Sequence, residues 1–62
     1  MFITLNAVAT DRPVIVNTAY ILGVVQDGDD VWVSSKGQDA FKVSETIDQI
    51  ERMLMRAELL VI

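Results

Sequence analysis

Few side chains in this 62-residue chain have the type and spacing to do chemistry. The carboxylates come first. Asp39, Glu45 and Asp48 lie close together in sequence, near enough for an acid–base pair to be considered. They fall at turns or at the start of a helix. There a carboxyl with an ordinary pKa of about 4 stays ionised at neutral pH and makes a poor catalytic acid. Turn formation and helix capping account for them better. The chain has no histidine and no cysteine. That removes the commonest general base, the commonest zinc ligand, any Ser–His or Cys–His pair, and any disulfide. Asp27, Asp29 and Asp30 raise the question of calcium, but an EF-hand needs a loop of about 12 residues ending in a bidentate Glu. Here Val31-Trp32-Val33 follows at once and reads as strand, so the acids belong to a solvated turn. The expectation is a protein that is not an enzyme and has neither a metal site nor a cofactor.

Binding chemistry is better represented. Tyr20 and Trp32 could anchor a protein interface or stack on a planar ligand, and Arg52 and Arg56 could add charge. Ser44 and Thr46 offer hydroxyls, and a helix beginning at Thr46 would present free N–H groups to an anion. Glu45 and Asp48 beside it would repel a phosphate.

These residues are positioned by a helix and the strands before it. From Thr46 onward, Ile47, Ile50, Leu54, Ala57 and Val61 recur in steps of three and four, the spacing of one helical face. Thr46 and Gln49 have capping-box spacing, in which each side chain satisfies the other residue's N–H. Asp48 and Arg52 are spaced for an i,i+4 pair. A helix over about 46–57 is expected, followed by an apolar tail, 58–62, that suits helix or strand. Met53, Met55, Leu59, Leu60, Val61 and Ile62 make the C-terminal region apolar beyond what one small sheet can cover. They are therefore candidates for an oligomer interface.

Upstream, residues 2–8 alternate as a strand does. Val14-Ile15-Val16 is β-branched throughout and follows Pro13, which suits an edge or a strand start. Asn17-Thr18-Ala19 reads as a tight turn or one helical turn. Tyr20 to Val25 is an almost unbroken apolar run, as in a strand buried on both sides, with Gly23 marking a bend, a bulge or a close approach. Asp27-Gly28 is a hairpin signal, and Gly37 marks the next turn. The expected fold is α+β, mainly β: a small, strongly bent antiparallel sheet with strands near 2–8, 13–16, 20–26, 30–35 and 39–43, then one C-terminal helix (β-β-β-β-β-α). Short connections should make neighbours in sequence neighbours in the sheet. The expected core is Ile3, Leu5, Val14, Val16, Ile21, Val24, Val31, Val33, Phe41, Val43, Ile47, Ile50 and Leu54, with Trp32 on the opposite face.

Composition narrows the function classes. One domain of this size lies near the lower limit for a self-sufficient core, yet 52% of its residues are hydrophobic and its mean hydropathy is +0.38. That excess favours self-association. The net charge is −4, and the five basic residues are scattered, which argues against nucleic acid as a partner. No apolar run approaches the ~18 residues of a membrane span, and the N-terminus lacks a basic leader region; a cytoplasmic protein is expected.

ITLNAV, PVIVNTAYILGV, VWVSSKG and KVSETIDQIERML follow one another in an order similar to that of the small flagellar FlbD/SwrD-type proteins and of short phage-encoded proteins with the same layout. The resemblance covers nearly the whole chain, and Val43 to Ile50 is its most specific part. The flagellar pattern carries a charged, polar tail where this chain is apolar, which favours a phage or mobile-element accessory protein. Excess hydrophobicity, small size and the missing catalytic residues point to a homo-oligomeric interaction protein that binds a host protein. The alternatives are an oligomer that sequesters a nucleotide signal of a host defence system and a flagellar FlbD-like factor.

Overall fold

The computed structural model describes the backbone of residues 1–61 and the side chains of residues 1–56. It contains five strands, β1 (Phe2–Ala7), β2 (Arg12–Asn17), β3 (Ile21–Asp27), β4 (Asp30–Ser35) and β5 (Gln38–Val43), followed by one helix, α1 (Ile47–Val61). All strand pairs are antiparallel, in one sheet ordered β2-β1-β5-β4-β3. The α+β, mainly β architecture read from the sequence is the one found.

Local chemistry sets the turns. β3 and β4 join through Gly28-Asp29, with Gly28 at φ +62° as the first central residue, the position where a type II′ hairpin needs a positive φ. Gly37, at φ 84°, serves the β4–β5 turn. Asp11 takes the left-handed conformation at φ 53° in the β1–β2 loop, which Asp tolerates better than most residues. The connector after β2 is a 3₁₀ turn, Thr18–Tyr20, capped by Asn17 Oδ1, which accepts from the Ala19 N–H at 3.1 Å. Tyr20 therefore belongs to this turn, and β3 starts one residue later than expected.

Sequence neighbours are sheet neighbours with one exception: β2 and β3 occupy opposite edges. In a flat sheet those edges would lie about 19 Å apart, at roughly 4.8 Å per strand. A three-residue 3₁₀ turn advances only about 6 Å. The sheet must therefore curl until its edges approach. The turn is tied to both sides: the Thr18 N–H donates to Met1 O at 2.9 Å, and the Lys36 N–H donates to Tyr20 O at 2.7 Å. No ladder joins β2 to β3, so the curl stops short of a closed barrel.

The sheet is also split within. β1 and β5 share one bridge, Ala7 with Val43, extended by the Val8 N–H to Lys42 O and the Ser44 N–H to Asn6 O. That bridge joins the last residue of each strand, after which the chain turns into α1, and α1 packs against both β1 and β3. Ile50, 1% exposed, enters a cluster with Ile3, Leu5, Val16, Val31, Val33 and Val43. Val14, Ile21, Val24, Phe41 and Leu54 pack around it half-buried, and Ile47 is also half-buried. Ala7 and Ser35 are buried as well, though sequence alone did not single them out.

Two expectations need correction. The apolar run 20–25 is not buried on both sides, because β3 is an edge strand with Leu22 71% and Val25 59% exposed. The Asp48–Arg52 pair is not formed; among the described residues the one ion pair is Lys42–Asp30 at 3.7 Å. Gly23 does mark a bulge, since the β3–β4 register shifts between Ile21 and Gly23. It is not a close approach, as a Cβ there would meet nothing within 4 Å.

Candidate interaction surface

At the start of α1 the capping box closes as its spacing requires. The Gln49 N–H donates to Thr46 Oγ1 at 3.1 Å, and the Thr46 N–H donates to Gln49 Oε1 at 2.9 Å. Beside it Glu45 makes a contact that the sequence does not announce. Its Oε1 accepts the Asn6 N–H at 2.9 Å and its Oε2 accepts from Asn6 Nδ2 at 2.7 Å. Glu45 thus fastens the link between β5 and α1 onto β1. Asp39 and Asp48 are exposed, and among the described residues no three acidic side chains converge to hold a metal ion.

The residues considered for nucleotide binding do not assemble into one site. Ser44 and Thr46 line a cleft with Asp29, Asp30, Lys42 and Asp48, where the carboxylates oppose an anion and the Gln49 N–H of the first helical turn is already capped by Thr46. Arg52 and Arg56 line a different groove. Tyr20 and Trp32 line neither. Tyr20 is 52% exposed on the 3₁₀ turn, and Trp32 is 37% exposed on the outer sheet face.

That outer face is notably apolar. Trp32 stands opposite Val25 on β3 and Lys42 on β5, and Val8 neighbours Lys42 through its hydrogen bond. Phe2 and Ile15, also exposed, extend apolar surface onto β1 and β2. Lys42 is drawn to Asp30, so its charge does not interrupt the apolar pair Val25–Trp32.

Of the interface candidates on α1, Met55 is exposed while Met53 packs half-buried against the chain's own core. Met53 lies three positions after Ile50, about 60° round the helix, which brings it onto the margin of the buried stripe. The backbone of Leu59, Leu60 and Val61 continues the helix, so residues 58–61 are helical rather than a strand. The side chains of these three residues, and Ile62 altogether, lie outside the described residues.

The groove holding the two arginines lies between β1 and α1. It measures about 350 Å³ and is lined by Met1, Phe2, Ile3, Thr4, Arg52, Met53 and Arg56. Among the described residues no carboxylate lines it, in a chain of net charge −4. Among the described residues neither arginine is paired with an acid.

Hydrogen-bond parity shows what else faces this groove. Asn6 stands opposite Pro13, which has no N–H, and Asn6 directs its own N–H and C=O away from β2, to Glu45 and Ser44. In an antiparallel ladder such outward pairs alternate. Phe2 and Thr4, two and one steps back in the alternation, therefore also turn their main-chain groups away from β2. β5 ends at Val43, opposite Ala7, so no strand lies beside Phe2 and Thr4 on that side. The same parity explains Pro13, whose missing donor falls on the free edge of β2, where no ladder bond is lost. Family models, curated proteins and solved structures were compared with this chain, and none matches.

Proposed function

We propose that this chain is a non-enzymatic interaction module. It works in the cytoplasm as a homo-oligomer and docks on a host protein, as a phage or mobile-element accessory factor would. The observation that carries the reading is the uncovered apolar surface of the sheet. Val25 and Trp32 form a cross-strand pair on the outer face, while Leu22 and Ile15 are each 71% exposed. A monomer this small gains nothing from keeping such side chains in water, and exposed apolar surface of this kind marks sites of association. Trp is the residue most enriched among the anchors that dominate binding energy.

Sedimentation velocity over a concentration series tests this, with wild type beside Trp32→Ala. Trp32 contributes nothing to the buried core cluster, so the variant should keep its fold, checked by circular dichroism. Wild type should sediment as an oligomer, and loss of a central anchor, about 2 kcal/mol, should weaken association roughly thirtyfold. A wild-type chain that remains monomeric at every attainable concentration would remove the oligomer from this reading. An oligomer unaffected by the substitution would move the interface off the Trp32 face.

A further inference from the structure

We infer that the groove between β1 and α1 is a docking slot for an extended peptide segment carrying two carboxylates two residues apart. The inference rests on the interaction-module reading and names the chemistry of the partner. Three features of the groove converge on this occupant.

The first is the strand edge. Phe2 and Thr4 present main-chain donors and acceptors that neither β2 nor β5 takes up, along a stretch that lies beyond the end of β5. An extended chain laid there continues the ladder that β5 abandons, which is how sheet edges capture peptides. At the neighbouring position in this alternation, Asn6, the chain supplies its own acceptor: the Glu45 carboxylate takes the N–H. A carboxylate is thus already the chemistry that this edge accepts.

The second is charge. Two of the chain's five basic residues meet at one groove that no acidic side chain lines among the described residues. Arg52 and Arg56 are both exposed, and among the described residues neither is paired with an acid. Guanidinium groups favour carboxylates because their donors match both oxygens.

The third is spacing. Four residues of helix rise about 6 Å, which separates Arg52 from Arg56 along the axis. Two residues of extended chain advance about 6.7 Å and return the side chain to the same face. Carboxylates at positions i and i+2 therefore match the arginines in register, and the intervening residue turns to the opposite face, the one on which Phe2 is exposed. A nucleotide offers no main-chain groups to the open strand edge, and for that reason a peptide is the better fit.

The probe is an end-capped seven-residue peptide of alternating valine and polar residues, with glutamate at its third and fifth positions, titrated into ¹⁵N-labelled full chain. The Phe2 and Thr4 amides should shift and become protected from exchange. Replacing both glutamates by glutamine, or introducing Arg52→Gln with Arg56→Gln, should weaken binding tenfold or more while the spectrum stays folded. Absence of any shift at Phe2 and Thr4, or equal binding of the glutamine peptide, would overturn the inference. So would competition by a nucleoside diphosphate that shifts Arg52 and Arg56 without touching the β1 amides, since the groove would then be an anion site. The oligomeric state is measured on the same samples. A chain that associates through Trp32 but ignores the peptide loses only this inference, whereas one that does neither loses the module reading as well.

Discussion

Removing the Glu45 carboxylate should cost this protein a large share of its stability, although the residue lies outside the hydrophobic core. Glu45 accepts two hydrogen bonds from Asn6, one from the backbone N–H and one from the side-chain amide, and so fastens the link between β5 and α1 onto β1. Hydrogen bonds to a charged group contribute about 1.5–3 kcal/mol when shielded, and solvent access at this half-buried site reduces that to about 1–2 kcal/mol for the pair. Unfolding entropy near the midpoint is about 2.1 cal/mol/K per residue, or roughly 130 cal/mol/K for this length, so each kcal/mol moves Tm by about 8 °C. Glu45→Ala should therefore lower Tm by about 8–16 °C. Glu45→Gln, which keeps an acceptor for the Asn6 N–H and loses the charge, should fall about halfway. The assay is thermal unfolding by circular dichroism at one fixed protein concentration, because association would shift Tm by mass action. A double-mutant cycle with Asn6→Ala isolates the side-chain bond and should return a coupling of about 0.5–1 kcal/mol. A drop in Tm below about 2 °C for Glu45→Ala, or a coupling indistinguishable from zero, would refute the role given to this contact.

Two glycines make a paired test of backbone reasoning. Gly28→Ala forces a side chain into φ +62° and should destabilise by about 1 kcal/mol, whereas Gly23→Ala meets open space at an ordinary φ and should be neutral or stabilise by up to about 0.5 kcal/mol; chemical denaturation of both variants checks the sign. Association should strengthen as salt is raised, because each protomer carries a net charge of −4 and like charges repel until screened. Sedimentation at low and at moderate ionic strength measures this, and weakening with salt would place ion pairs, rather than the apolar face, at the interface.

Most of the fold was legible because most of it is local. The Thr46–Gln49 box, the Gly28 and Gly37 turns and the alternation in β1 and β4 are written within a few residues each. The core followed from the same alternation, as Val31, Val33 and Val43 show. What stayed hidden depends on residues far apart. Asn6 and Glu45 are 39 positions apart, and nothing in either sequence neighbourhood pairs them. The run from Tyr20 to Val25 suits a central strand as well as an edge whose outward residues stay uncovered, and only the sheet order distinguishes the two. Arg52 was legible as a helical ion-pair partner and instead lines the groove against β1, because β5 ends at Val43 and leaves α1 beside β1, a placement that i,i+4 spacing cannot foresee. The groove itself arises from hydrogen-bond parity along β1, which a strand's sequence does not carry unless a proline fixes its phase, as Pro13 does here.

The split between β1 and β5 also bears on how the molecule comes into being. The β1–β2 hairpin and the β3–β4–β5 meander are each built from contacts near in sequence, which form fast. They meet at a single bridge, Ala7 with Val43, and share a core that Ile50 completes from α1. On the ribosome the two sub-sheets emerge before that residue does, so Leu5 and Val33, fully buried in the finished protein, wait without a lid. Any event that frays α1 later returns the chain to this nascent condition: two formed sub-sheets whose shared apolar side is open to whatever meets it first.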